Sequence, residues 1–178
     1  MLEVLNPVNA LDNLEAFLIA GGNVLLVIMV VTFLMWMLVM ERILYFAMAS
    51  GGVRKRAIGK WADRSETTSW YAHAIRDKSI SEVRESANTN IGVIKALIAI
   101  LPLLGLLGTV TGMVEVFDVM AATGSSNARL MAGGITKATI PTMAGLVASL
   151  SGILMLNIIE RQATRSVSTV SDELTIGA

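Results

Sequence analysis

From Gly21 to Met40 the chain reads GGNVLLVIMVVTFLMWMLVM, an apolar run of about the twenty residues that a helix needs to cross a bilayer. Glu41 and Arg42 end it, and Trp36 and Tyr45 stand where interfacial aromatics are expected. Two further runs of spanning length follow, Ala96 to Phe117 and Ala138 to Ile159. Between them, residues 118–137 are rich in Ala, Gly and Ser and read as a short outer loop and the start of the third helix. Beyond Ile159, Ala163, Val167, Val170 and Leu174 keep a spacing of three or four, so the third helix is expected to leave the lipid as an amphipathic tail over 160–178.

The stretches between these runs are polar. In residues 1–20, Asn6 and Pro7 have the form of a helix start, and Leu11, Leu14 and Leu18 share one face. That pattern predicts an amphipathic helix lying on the outer membrane surface, and without a basic leader it is not read as a signal peptide. Residues 41–95 are too polar to span. Ser50, Gly51 and Gly52 predict a break there, followed by a basic cluster at Arg54, Lys55 and Arg56 that meets either anionic lipid or bulk water. Ile58, Trp61 and Ala62, then Ile75, Ile80 and Val83, predict one or two amphipathic helices with one face in water and the other on a partner or another subunit. The fold class is therefore all-α: three transmembrane helices with cytoplasmic helical extensions.

Composition agrees, with 54% hydrophobic residues and a mean hydropathy of +0.66. Cysteine is absent and His73 is the one histidine, which removes disulfides, thiolate catalysis and His-rich metal sites. Net charge is zero and does not point to a nucleic acid, but its distribution along the chain is informative. Of the 14 Lys and Arg residues, ten fall in residues 41–95 and Arg161 and Arg165 in the tail, against Arg129 and Lys137 in the 118–137 segment and none before Gly21. By the positive-inside rule the N-terminus lies outside and the C-terminus inside.

Several polar residues lie within the spans. Thr32 is expected to bond back to its own helix. Gly105, Thr109 and Gly112 share one face of the second span, with Gly108 beside them and Thr111 pointing nearly the opposite way. Thr142, Gly145, Ser149 and Gly152 share a face of the third. Small residues at such spacing serve close helix packing or line a polar path, and composition does not separate the two. Depth favours a path, because Thr109 lies about 12 Å and Thr142 about 6 to 15 Å from the outer ends of their spans. Pro102 and Pro141 are candidate kinks that free backbone carbonyls. Glu115, Asp118 and Lys137 form an outer-end polar cluster in which Lys137 pairs with an acid, while Lys95 is expected to snorkel to the inner surface. No carboxylate falls at the middle of a span, so the chain alone lacks the titratable group that a proton relay requires. No nucleophile with a base, phosphate loop or metal constellation is visible, so neither an enzyme nor a cofactor is expected.

LMWMLVMER, LPLLGLLGTVTGMVEVF and KATIPTMAGL, in that order, resemble the MotA/TolQ/ExbB proton-channel family, most closely its short ExbB branch. The resemblance implies a pentameric ring in the bacterial inner membrane whose second and third helices surround a pore. It also implies an ExbD-like single-span partner carrying an essential Asp in that pore, and a TonB-like protein that passes motion to an outer-membrane transporter. Thr109 and Thr142 would be the pore threonines, with Ser149, Gly105, Gly112 and Gly145 along the same path. Lys137 stands where family members commonly have Glu. A TolQ-like role in envelope maintenance and a passive helical scaffold are the alternatives.

Overall fold

A computed structural model describes residues 7–62, 66, 69–124 and 128–175. Every regular element among them is helical: α1 (Pro7–Leu44), a π-turn over Tyr45–Ala49, α2 (Ser50–Ala62), α3 (Trp70–Asn88), α4 (Ile91–Thr123) and α5 (Ala128–Glu173). Three of these helices, α1, α4 and α5, are long and apolar enough to cross a membrane. The chain divides into two compact units, one made of residues 1–35 and 96–152, the other of 36–95 and 153–178.

The first unit is built around Leu25, Ile28 and Met35 of α1, Ile98 and Leu101 of α4, and Ala138, Pro141 and Ser149 of α5, all buried. Its outward faces carry Leu26, Phe33, Leu103, Leu106, Met143 and Val147, each large, apolar and exposed. Apolar side chains covering the outside of the helices suit lipid rather than water. Pro7 opens α1, while Asn6 lies outside the described residues, as do the side chains of Leu11 and Leu14. Gly22 interrupts α1 with φ of 62° and ψ of −163°, a backbone region open to glycine and costly for a side chain. Thr32 donates to the Ile28 carbonyl at 2.7 Å within its own helix.

The second unit has a core of Trp61 from α2, Ala72, Ile80 and Val83 from α3, Val170 from α5 and Leu174 just past its end. The apolar faces of α2 and α3 thus pack against the tail of this chain's own third apolar helix. Ser69 caps α3 by accepting from the Ala72 amide at 3.3 Å. Arg76 donates to the Leu174 carbonyl at 2.7 Å and the Ser171 carbonyl at 3.1 Å, and Trp61 donates to the Thr175 carbonyl at 3.2 Å. These donors satisfy carbonyls that the end of α5 leaves without helical partners. Arg42, only 4% exposed, pairs with Glu41, donates to the Ser86 carbonyl at 3.2 Å and lies 4.8 Å from the centre of the Tyr45 ring. Asn90, with φ of 62°, turns the chain between α3 and α4 and donates to Glu41 at 3.3 Å.

Two expectations change. Ser50, Gly51 and Gly52 make no break: they are helical and follow the π-turn directly, where Ser50 donates to the Phe46 carbonyl at 2.8 Å. Glycine weakens a helix by about 1 kcal/mol without forbidding it. Residues 118–137 are mostly not loop, because α4 runs to Thr123 and α5 starts at Ala128. Alanine-rich sequence propagates a helix past the point where hydropathy falls. Pro102 and Pro141, the candidate kinks, lie inside α4 and α5. Lys95 pairs with Glu160 of α5 at 2.5 Å.

Candidate functional site

The seam between α4 and α5 in the first unit gathers most of the candidate residues. Its glycines are there because the two backbones nearly touch. A Cβ added to Gly145 would stand 2.5 Å from the Leu101 carbonyl oxygen, one on Gly105 2.9 Å from the Thr142 Cα, and one on Gly112 2.6 Å from the Ala138 Cβ. Gly108 packs directly on the buried ring of Pro141. Separations this short exclude any side chain, so these four glycines fix how closely the helices approach.

The hydroxyls divide into two kinds. Thr142 donates across the seam to the Gly105 carbonyl at 2.7 Å, and Ser149, 6% exposed, donates across it to the Ile98 carbonyl at 3.2 Å. The second bond has a specific cause. Residue 102 is proline and lacks the N–H that would bond the carbonyl four residues earlier, that of Ile98. Ser149 supplies the missing donor from the neighbouring helix. Thr109 behaves differently: it donates within α4 to the Leu106 carbonyl at 2.7 Å and remains half-exposed. Each hydroxyl still has acceptor lone pairs after donating its proton.

Of the six residues expected along an ion path, Ser149, Gly105 and Gly145 are buried within the subunit's own seam, and Gly112 is pressed against Ala138. Thr109 and Thr142 keep partial exposure one helical turn apart in height, about 6 Å. Charge is confined to the seam's ends. Residues 96–114 and 138–159 contain no Asp, Glu, Lys or Arg. Toward the end that joins α4 to α5, Lys137 pairs with Glu115 at 3.8 Å, while Asp118 is exposed on the next turn of α4. Among the described residues no group of three His, Cys, Asp or Glu side chains could hold a metal ion.

Sequence reasoning missed two polar residues. Thr111, set aside as facing away from Thr109, and Asn23, next to the α1 break, both line the space beside this ion pair. The signal for Thr111 was its spacing, since 108, 111, 112 and 115 also form one helical stripe.

The seam can hold hydroxyls and carbonyls close together in an apolar setting, but it offers no acid of its own. Known proteins share this chain's sequence pattern. It is 36% identical over 81 residues to the biopolymer transport protein ExbB of Salmonella typhimurium, a stretch covering 46% of this chain and 33% of that protein. It is 32% identical over 96 residues to exbB1 of Vibrio cholerae serotype O1, covering 53% and 42%, and 28% identical over 96 residues to ExbB of Pseudomonas putida, covering 54% and 29%. The matched stretch thus spans less than half the length of each of these relatives. The profile of the MotA/TolQ/ExbB proton channel family matches residues 38–172, from the end of α1 through the whole α4–α5 seam. On that match, the chain belongs to the MotA/TolQ/ExbB proton channel family.

Proposed function

We propose that this chain is the ring-forming subunit of an ExbB-type motor in the bacterial inner membrane, coupling a proton gradient to outer-membrane transport. Residues 21–40, 96–117 and 138–159 cross the bilayer, with the N-terminus outside and the basic segments 41–95 and 160–178 in the cytoplasm. The observation that carries this reading is the charge-free length of α4 and α5 around a hydroxyl-bearing seam, in a member of a proton channel family. A proton moving through an apolar region needs a titratable group. An ExbD-like single-span helix placed in the pore of a pentamer supplies that acid, and Thr109 and Thr142 offer lone pairs beside it. A TonB-like protein carries the resulting motion outward. Membership of a proton channel family and similarity to biopolymer transport proteins both support this reading.

A packing-only scaffold is the competing reading. It draws on the commitment of Thr142 and Ser149 to carbonyls across the seam. The native mass of the detergent-solubilised protein, measured with and without a co-expressed acid-bearing single-span protein, decides between them. A pentamer that captures the partner is expected. A particle of unchanged mass with every such partner contradicts the motor.

A further inference from the structure

The end of the seam that joins α4 to α5 is hollow. One cavity of about 270 Å³ lies among Gly22, Asn23, Gly108, Thr111 and Pro141. A second of about 170 Å³ lies among Val116, Met120, Met131 and Gly134. Glu115, Lys137 and Gly112 line both. On α4 the lining positions 108, 111, 112 and 115 continue as 116, 119 and 120, and on α5 the positions 141, 138 and 137 continue as 134 and 131. These are single stripes on facing helices, so the cavities are stacked along one groove. The Lys137–Glu115 bridge crosses it between them. Below the first cavity the groove closes where Thr142 bonds to Gly105.

We propose that this groove is a water-filled inlet, partitioned by the Lys137–Glu115 pair, that brings solvent from the outer face down to Gly108 and Pro141. The orientation rests on the reading given under Proposed function; the hydration does not. An empty space stays dry when its walls are apolar and fills with water when polar groups offer several bonds. Here Asn23, Thr111, Glu115 and Lys137 converge on about 270 Å³, room for several waters. Pro141 adds another acceptor, because it lacks the N–H that would bond the carbonyl of Lys137, four residues before it. Gly22 helps form the first cavity's wall with backbone alone, since its φ of 62° excludes a bulky residue at that bend. The pair spans the waist with both side chains partly exposed, at 46% and 67%, so it can open without leaving either charge buried.

The chain's lack of cysteine makes the test direct. Thr111→Cys, in the first cavity, is compared with Val110→Cys, whose side chain is on the exposed apolar face about 100° around α4. Each variant of the full-length protein, in its native membrane, is treated with charged sulfonatoethyl methanethiosulfonate, and the modification rate is followed by mass. Thr111→Cys is expected to react at least about tenfold faster from outside, because the thiolate that reacts requires water. Equal, slow rates at the two positions would overturn the inlet and indicate a dry or lipid-filled groove. Adding Glu115→Gln, or separately Lys137→Met, removes the partition and is expected to speed the Thr111→Cys reaction about two- to fivefold, the factor a partly exposed ion pair is worth. No change in either background overturns the partition. Fast labelling only in inverted vesicles supports the inlet and overturns the proposed orientation.

Discussion

If Ser149 is present to satisfy the carbonyl that Pro102 strands, its contribution must depend on Pro102. Ser149→Ala removes one oxygen from a buried side chain and leaves the Cβ in place, so packing changes little. It leaves the Ile98 carbonyl with neither a helical nor a side-chain donor. A buried polar group left unpaired costs about 1–3 kcal/mol, whereas interhelical hydrogen bonds within membranes average about 0.6 kcal/mol and reach about 1.7. We expect about 1.5 kcal/mol, near the upper end, because the carbonyl has no partner to return to. In a Pro102→Ala background the new amide at position 102 reaches Ile98 along the helix. The same Ser149→Ala change should then cost about 0.5 kcal/mol or less, a coupling of about 1 kcal/mol. Reversible unfolding in mixed detergent micelles, followed by far-ultraviolet circular dichroism, gives the four stabilities. Equal costs in the two backgrounds, within about 0.3 kcal/mol, would refute the assignment of Ser149 as the donor for that carbonyl.

Glycines in and out of the seam should respond oppositely. Gly145→Val forces the helices apart at the Leu101 carbonyl and should abolish the folded α4–α5 pair, while Gly51→Ala, in open space within α2, should stabilise by about 0.5–1 kcal/mol; thermal unfolding of the detergent-solubilised protein measures both. Arg42→Met leaves Glu41 without its main partner and the Ser86 carbonyl without its side-chain donor. It should cost about 1–2 kcal/mol, chiefly from the Ser86 carbonyl, and adding Glu41→Leu should change that little because the Glu41 side chain is 45% exposed, as read by denaturant midpoints.

The readable parts of the sequence were those set by the solvent. Lipid demands about twenty apolar residues per helix, so hydropathy located the apolar runs that lie in α1, α4 and α5. Helical periodicity likewise singled out Ala163, Val170 and Leu174, which are buried. What escaped depends on which faces meet. The stripe of Ile80 and Val83 was visible, but nothing local tells that Val170 and Leu174 of the same chain cover it. The glycine and hydroxyl stripes were visible too. Their division into packing residues such as Gly145, carbonyl donors such as Ser149, and the half-exposed Thr109 depends on ångström-scale distances between helices. Helix ends were misplaced near residues 118–137 because hydropathy marks where lipid stops, and alanine-rich chain stays helical beyond it.

The central proposal is that the α4–α5 face bearing Thr109 and Thr142 lines a proton path lacking only an acid, which another protein supplies. It is tested most directly by proton flux into proteoliposomes holding this protein alone, with the proposed acid-bearing single-span partner, and with that partner's Asp changed to Asn. Flux is predicted only with the intact partner, and Thr109→Val should lower it about tenfold or more, the scale on which a positioned proton-handling group acts. Flux from this protein alone, or flux that survives loss of the partner's carboxylate, would contradict the account.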